Sequence, residues 1–427
     1  MANRLTAAAA AARQRYVDEH PRSAALAAQA RTVLPGGNTR SVLHIEPFGF
    51  RVAGAEGPRL HDVDGHTYLD LLGDYSAGLL GRCADIAAVI AGVLERGWSY
   101  GAMSEPEAVF AEAVVGRFPS IDQVRFTNSG SEANVMALLT ARHVTARQRA
   151  VVFDGAYHGG PLYFGPGGDR LRVPFEFAVL PYNDIEAVAA ELTANGERIA
   201  CVLVEPMLGA GGCIPAQPEF LAALRERTVA SGALLIFDEV MTSRLALGGA
   251  QELLDIVPDM TTLGKYLAGG LSFGAFGGRR DVMAAFDPNS GGLTHGGTFN
   301  NNAFTMAVGA EVSTLIAAAE LDALNRRGDD LRNSLNACFG DSPLPFQALG
   351  WGSLLNVHPC PGLVARPADL AAADPAWREL FFHDLLAAGF YVAPRGYMAL
   401  TLDVTDAHVA SFVAAVQTFL DARRSLA

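Results

Sequence analysis

Between about residues 105 and 285, short runs of Val, Ile, Leu and Phe recur between stretches of helical composition: "QVRFTNSG", "RAVVFDGAYHGG", "EFAVLPYND", "ACVLVEPM", "ALLIFDEVM", "MTTLGK" and "FGAFGG". Continuous apolar runs of this kind suit strands buried on both faces, so the region reads as α/β, a largely parallel sheet covered by helices. Ligands of such sheets gather where strands end and loops begin. The residues that close each run are therefore the first place to look for chemistry.

The flanks read differently. Residues 4 to 33 have helical composition and stop at "LPGGNTR", where Pro35, Gly36 and Gly37 break the pattern. "FRVAGAEGPRLHDVDGHTYLDLL" reads as strands joined by turns at Glu56-Gly57 and Asp64-Gly65. Its His61, Asp62, Asp64, His66 and Asp70 resemble metal ligands, but period-two alternation throws neighbours onto opposite faces, so a hairpin and no metal site is the expectation. After residue 305 a long helical stretch leads to a smaller α+β segment, with strand candidates "FQALGWGSLLNVHP" and "GYMALTLD" and a final helix from about Asp406.

A chain of 427 residues, half of them hydrophobic and 18% charged, is long enough for two or more domains with large cores. Its formal charge of -13 argues against nucleic acid or an anionic membrane as the main partner. An anionic small molecule is still compatible, held by local arginines. The five cysteines are scattered, odd in number and free of CxxC spacing, which reads as reduced thiols in a cytoplasmic protein. The alanine run near the N-terminus is short, weakly hydrophobic and broken by Arg13 and Arg15, so a helix is expected there and not a signal peptide. No stretch is long and apolar enough to span a bilayer.

The 32 basic residues comprise 31 arginines and one lysine, Lys265 in "TTLGKYLAGG". Arginine replaces lysine wherever a long-range positive charge suffices, but its guanidinium stays protonated and is no amine nucleophile. Lys265 is therefore a candidate for amine chemistry, above all a Schiff base with a carbonyl, set against an ordinary surface lysine. A P-loop is excluded, because the required glycine and Ser/Thr positions hold Asp259 and Tyr266.

"LLIFDEVMTS" closes an apolar run at Asp238 and Glu239, where a parallel strand delivers side chains to the ligand edge. A carboxylate buried there needs a cation or strong donor, for which the pyridinium nitrogen of pyridoxal 5'-phosphate (PLP), a metal and a helix cap all qualify. In "RFTNSGSEANVMALLTARH", Ser129, Gly130 and Ser131 sit where the first free N–H groups of a helix point outward, suited to a phosphate or to a plain Ser N-cap; Glu132 and Asn134 follow in the first turn. Tyr157 in "GAYHGG" is either a stacking ring or a wall of the core, and His158 beside it ranks second. Arg40 in "GGNTRSVL" and Arg395 in "VAPRGYM" lie in loop-like stretches, where an arginine fork is the usual partner of a carboxylate.

Taken together, "NSGSEAN", "YHGG", "VEPM", "FDEVMTSR", "TTLGKYLAGG" and "GGTFNNN" resemble, in order and spacing, the fold-type I PLP enzymes of the class III aminotransferase family, and the match covers essentially the whole chain. Within it the "TRSVL" and "APRG" segments resemble the beta-amino-acid transaminases, while glutamate-1-semialdehyde 2,1-aminomutases share the sheet motifs. The resemblance implies a PLP-binding large domain over 71–305 and a smaller α+β domain formed by segments 1–70 and 306–427. It implies that Lys265 holds PLP and shuttles a proton, that Asp238 pairs with the pyridinium nitrogen, and that Tyr157 stacks on the ring. Ser129, Gly130 and Ser131 would bind the phosphate, with Thr298 completing the site of a neighbouring subunit in a homodimer, and Glu205 and Val240 would line the pocket.

A transaminase accepts two substrates in one site and so needs two carboxylate anchors. The resemblance assigns Arg40 to a beta-amino acid such as beta-phenylalanine, Arg395 to a keto acid such as 2-oxoglutarate or pyruvate, and Tyr75 to the side-chain pocket. "SYGAMSEPEA", residues 99 to 108, is more like the aminomutases, but Arg395 counts against that alternative, which needs no second acceptor. A catalytically silent PLP-binding protein would have no physical need to keep Lys265, Asp238 and the phosphate turn together.

Overall fold

All seven apolar runs form strands in the computed structural model, which describes residues 2–290 and 292–427. They are β1 (Gln123–Thr127), β2 (Arg149–Phe153), β3 (Phe177–Leu180), β4 (Ile199–Val204), β5 (Leu234–Asp238), β6 (Met260–Gly264) and β7 (Gly274–Gly278). One sheet joins them in the order β1-β7-β6-β5-β4-β2-β3. Every pairing is parallel except those of β7, which runs antiparallel to both β6 and β1. Six strands thus share one direction, and their carboxyl ends share one edge.

Strand β7 is glycine-rich because its neighbours leave no room. A Cβ on Gly274 would stand 2.1 Å from the Ser129 carbonyl oxygen, and one on Gly277 would stand 2.7 Å from that of Gln123. The helix α1 (Gly130–Thr145) follows β1 directly and buries Ala133, Ala137 and Ala141 at a four-residue spacing. Small residues at that spacing form the apolar stripe that lets a helix lie close on a sheet.

The chain divides into two units, one of residues Ser76–Asn325 with Val364–Asp369, the other of the chain up to Tyr75 with Arg326–Leu363 and Leu370–Ala427. The division falls at 75/76 and 325/326, later than 70/71 and 305/306. The physical reason for the second shift is the helix Ala303–Leu315, which packs on Glu105–Arg117 and Ala84–Arg96 of the sheet unit.

In the other unit the helical N-terminal stretch is two helices, Ala2–Glu19 and Pro21–Arg31, because Pro21 has no N–H to continue the first and instead opens the second. The hairpin Arg59–Asp62 with Thr67–Asp70 forms around Asp64-Gly65. Its polar side chains disperse: His61 meets Thr67 Oγ1 at 2.9 Å, Asp64 accepts from Arg22 N and Ser23 N at 2.7 and 3.0 Å, and Asp70 accepts from Leu72 N and Gly73 N at 3.0 Å each. Asp62 and His66 do converge with His20, at 3.0 Å from His66 Nδ1 to Asp62 Oδ2. Tyr68 closes that cluster, donating to Asp62 at 2.8 Å and meeting His20 Nε2 at 2.8 Å, so the group is satisfied by its own hydrogen bonds.

Helix α2 (Pro375–Ala387) buries His383, whose ring lies 5.2 Å from that of Tyr16. Burial pushes the imidazole down from 6.5 to about 4, with the Glu379 carboxylate only partly opposing. The unfolded chain therefore takes up this proton first, and stability present above about pH 6.5 drains as pH falls toward 4, a loss of about 3 kcal/mol from this group. We expect denaturant midpoints to fall over that interval and His383→Phe to flatten the fall. Parallel curves for the variant and the wild type would assign the acid sensitivity elsewhere.

Candidate active site

The carboxyl ends of five parallel strands deliver the predicted cofactor residues to one edge of the sheet. Ser129 follows β1, Tyr157 and His158 follow β2, Glu205 follows β4, Asp238 ends β5 and Lys265 follows β6. The register sets Asp238 beside Thr262 on the adjacent strand, three residues before the lysine. Sequence position alone thus becomes a cluster.

Asp238 is buried, 4% exposed, and accepts three hydrogen bonds. Its Oδ2 takes His158 Nδ1 at 2.7 Å and Asn134 Nδ2 at 2.8 Å, and its Oδ1 takes the Val240 backbone N–H at 3.0 Å. Asn134 is held in turn by the Thr262 hydroxyl, which donates to Asn134 Oδ1 at 2.7 Å. His158 donates through Nδ1 to the carboxylate, and its buried Nε2 has no hydrogen-bond partner among the described residues. No arginine or lysine forms an ion pair with Asp238 among the described residues; the basic side chain against it is the His158 imidazole, at 2.7 Å.

Glu205 is also buried, and it accepts from the backbone N–H groups of Tyr157 at 3.1 Å and Gly209 at 2.9 Å. It fixes where Tyr157 stands more than it lines a wall. Burial raises its proton affinity; the His158 imidazole opposes the rise and the nearby Asp238 carboxylate adds to it. The Tyr157 ring is 45% exposed.

Helix α1 begins at the polar turn. Ser129 is its N-cap, its Oγ accepting from Glu132 N at 3.2 Å, so the plain capping role is present. The N–H groups of Gly130 and Ser131 are the first of the helix and have no acceptor one turn back. Side chains are kept out of this turn by contact: a Cβ on Gly130 would stand 2.7 Å from Val240 Cγ2, and one on Gly159 would stand 2.2 Å from Ser131 Oγ. Thr298 is exposed and forms no hydrogen bond among the described residues; its loop is tied to the turn through Asn300, whose Oδ1 accepts from Asn128 at 2.9 Å.

Lys265 sits in the left-handed region at φ +59, opening a short 3-10 turn after β6. A non-glycine residue there costs on the order of 1–2 kcal/mol, strain of the kind that gathers at working sites. Its Nζ donates to Ser76 Oγ at 2.9 Å, and Ser76 is itself fully buried with φ +74. Gly73, Asp74 and Tyr75 before it have φ of +52, +44 and +55, so four residues make one left-handed turn.

The predicted substrate residues meet in the unit that ends at Tyr75. The Tyr75 ring lies 5.5 Å from the Arg40 guanidinium carbon and 5.6 Å from that of Arg395, and it stacks on Tyr397 with centroids 5.8 Å apart and planes within 4°. Tyr75 Oη donates to the Val42 carbonyl at 3.0 Å. Arg40 is paired with Asp74 at 2.8 Å, a single-pronged and exposed bond. Arg395 stands in a turn locked by Gly396, which has φ +88 and whose Cβ would stand 2.2 Å from the Val357 carbonyl oxygen.

Asn134, Thr262, Ser76 and Asp74 carry roles the sequence did not assign. Asn134 left a signal, a lone amide beside a buried alanine stripe, whereas Thr262 is set beside Asp238 by the strand register, which the letters do not fix. Ser76 left none, being 189 residues from the lysine it touches.

Comparison with known proteins identifies the family. The family model "Aminotransferase class-III" matches residues 44–420. The chain is 48% identical over 422 residues to beta-phenylalanine transaminase of Variovorax paradoxus, covering 98% of this chain and 97% of that one. The crystal structure of the beta-phenylalanine aminotransferase from that organism superposes with a TM-score of 0.97 at 47% identity over 99% of both chains. A solved transaminase with PLP bound matches with a TM-score of 0.86 at 30% identity over 95% of this chain and 98% of that one. Glutamate-1-semialdehyde 2,1-aminomutase of Methanosarcina acetivorans is 36% identical over 389 residues, 86% of this chain and 91% of that one.

Proposed function

The chain belongs to the class-III aminotransferases and is a PLP-dependent enzyme, and from that premise we propose that it transfers the amino group of a beta-amino acid to a keto acid. The donor we infer is an aromatic beta-amino acid such as beta-phenylalanine, on which the Variovorax paradoxus relative is named. The acceptor is a keto acid such as 2-oxoglutarate or pyruvate. One observation carries the reading: two arginines, Arg40 and Arg395, flank a single tyrosine ring, so two carboxylates can be anchored at different points of one surface.

The residues fit the cofactor. Asp238 is a buried carboxylate with three amide or imidazole donors and, among the described residues, no guanidinium or ammonium paired with it, which suits a protonated ring nitrogen. The turn at Gly130 and Ser131 offers free N–H groups and, at Gly130, no Cβ, which suits a phosphate. When bound, PLP supplies the carbonyl that takes the amino group and the electron sink that stabilises negative charge on the substrate carbon. Lys265 would hold the cofactor covalently, and its Nζ, freed as an amine, would take and return the proton of the substrate carbon. Ser76 orients that nitrogen from a buried position. Tyr157, positioned by Glu205, would cover the ring face.

We further propose a homodimer in which the exposed Thr298 serves the partner's phosphate site, and a cytoplasmic location consistent with five free cysteines. The test of function is an absorption spectrum of the purified enzyme, repeated after beta-phenylalanine and then after 2-oxoglutarate. Loss of the visible band with the amine and its return with the keto acid is the expected result. A band that ignores beta-phenylalanine but responds to a single aminated aldehyde, turned over without any acceptor, would replace the proposal with aminomutase chemistry.

A further inference from the structure

Arg378 stands in the first turn of α2, whose N-cap is Asp374 and whose first residue is Pro375. Three costs meet at this side chain. It is half-buried and lies near Arg395, and both facts weaken its hold on its proton. A cation in the first turn also opposes the helix dipole. Among the described residues only the nearby Cys360 side chain opposes these costs. The Nε atoms of Arg378 and Arg395 are both buried without a hydrogen-bond partner, and neither guanidinium forms an ion pair among the described residues.

The acids nearby in sequence are committed elsewhere. Glu379 holds Arg13 through Nη2 at 2.9 Å, Asp384 holds Arg15 and Arg423, and Asp374 caps its own helix by accepting from Ala376 N at 2.8 Å. In a chain with 45 acidic and 32 basic residues, two neighbouring half-buried arginines without an ion pair among the described residues are suited to an external anion. Arg395 is set in its turn with its guanidinium carbon 5.5 Å from the Tyr397 ring centroid.

We propose that Arg378 and Arg395 form a two-guanidinium site that selects a dicarboxylic keto acid, Arg378 supplying the charge for the second carboxylate. This rests on the reading above that Arg395 anchors the acceptor. Arg378 is then what distinguishes 2-oxoglutarate from pyruvate, the first carrying a carboxylate the second lacks. Removing a charged hydrogen-bond donor from such a contact weakens it about 10- to 100-fold.

The experiment compares the holoenzyme with Arg378→Gln and Arg378→Lys. The expected result is a KM for 2-oxoglutarate raised about 10-fold or more in Arg378→Gln, a KM for pyruvate within about twofold of wild type, and a partial return of selectivity in Arg378→Lys. Glutarate, which cannot react, is expected to raise the melting temperature of the wild type more than that of Arg378→Gln, while butyrate raises both alike. An unchanged KM for 2-oxoglutarate, or equal damage to both acceptors in both variants, would overturn the proposal. Arg395→Ala separates it from its premise: that variant raises KM for both acceptors if Arg395 is the anchor, and an Arg395→Ala that spares both removes the premise whatever Arg378 does.

Discussion

Lys265→Arg is expected to fall to about 10⁻⁴ of wild-type turnover or below, since it removes both the covalent attachment and the proton carrier. The two side chains are of similar reach, and the left-handed backbone at φ +59 is no more strained with arginine than with lysine. The variant therefore folds, and its loss is chemical. A guanidinium stays protonated at any pH where the protein survives, so it offers no lone pair to a carbonyl or to a carbon-bound proton. Borohydride reduction provides a second readout, fixing the cofactor to the wild-type chain and not to the variant. Because no other lysine exists in the chain, the attached mass maps to a single peptide. Turnover near the wild-type rate would remove Lys265 from the chemistry altogether.

The strands were legible because each is a short apolar run, and their carboxyl ends were legible because each run stops at a polar residue: Asp238, Glu205 after Val204, Lys265 after Gly264. The direction of β7 was not. "GAFGG" gives the same letters for either orientation, and only its two neighbours, pressing to within 2.1 Å of an added Cβ, explain its glycines. The left-handed turn at Gly73–Ser76 was equally hidden, since only the first of its four residues is a glycine and the strain of the other three is set by tertiary contacts. Arg40 and Arg395 were visible as candidates, one among thirty-one arginines each; what singled them out physically is the Tyr75 ring between them, a contact spanning more than three hundred residues of chain. Arg378 was missed because helix α2 reads as an ordinary buried helix, and the signal is the carboxylate that its neighbourhood lacks.

Asp238→Asn is the second large effect we expect, a fall in turnover of about 10³-fold with the fold preserved. The carboxylate accepts from three donors, so an amide in its place must turn its NH2 toward at least one of Asn134 Nδ2, His158 Nδ1 or the Val240 N–H, donor against donor. The negative charge that favours a protonated ring nitrogen is lost in the same step. Both effects weaken cofactor retention, but only the second abolishes the electron sink, and the two can be separated. With excess PLP the binding defect is filled while turnover stays low. A PLP analogue methylated on the ring nitrogen carries its positive charge permanently and no longer needs the carboxylate to keep it. It is expected to raise turnover of Asp238→Asn relative to PLP in the same variant, and to lower it in the wild type, where the methyl group meets the buried carboxylate and its three donors. Equal turnover of Asp238→Asn with PLP and with the methylated analogue would mean that Asp238 holds the cofactor in place without setting its charge.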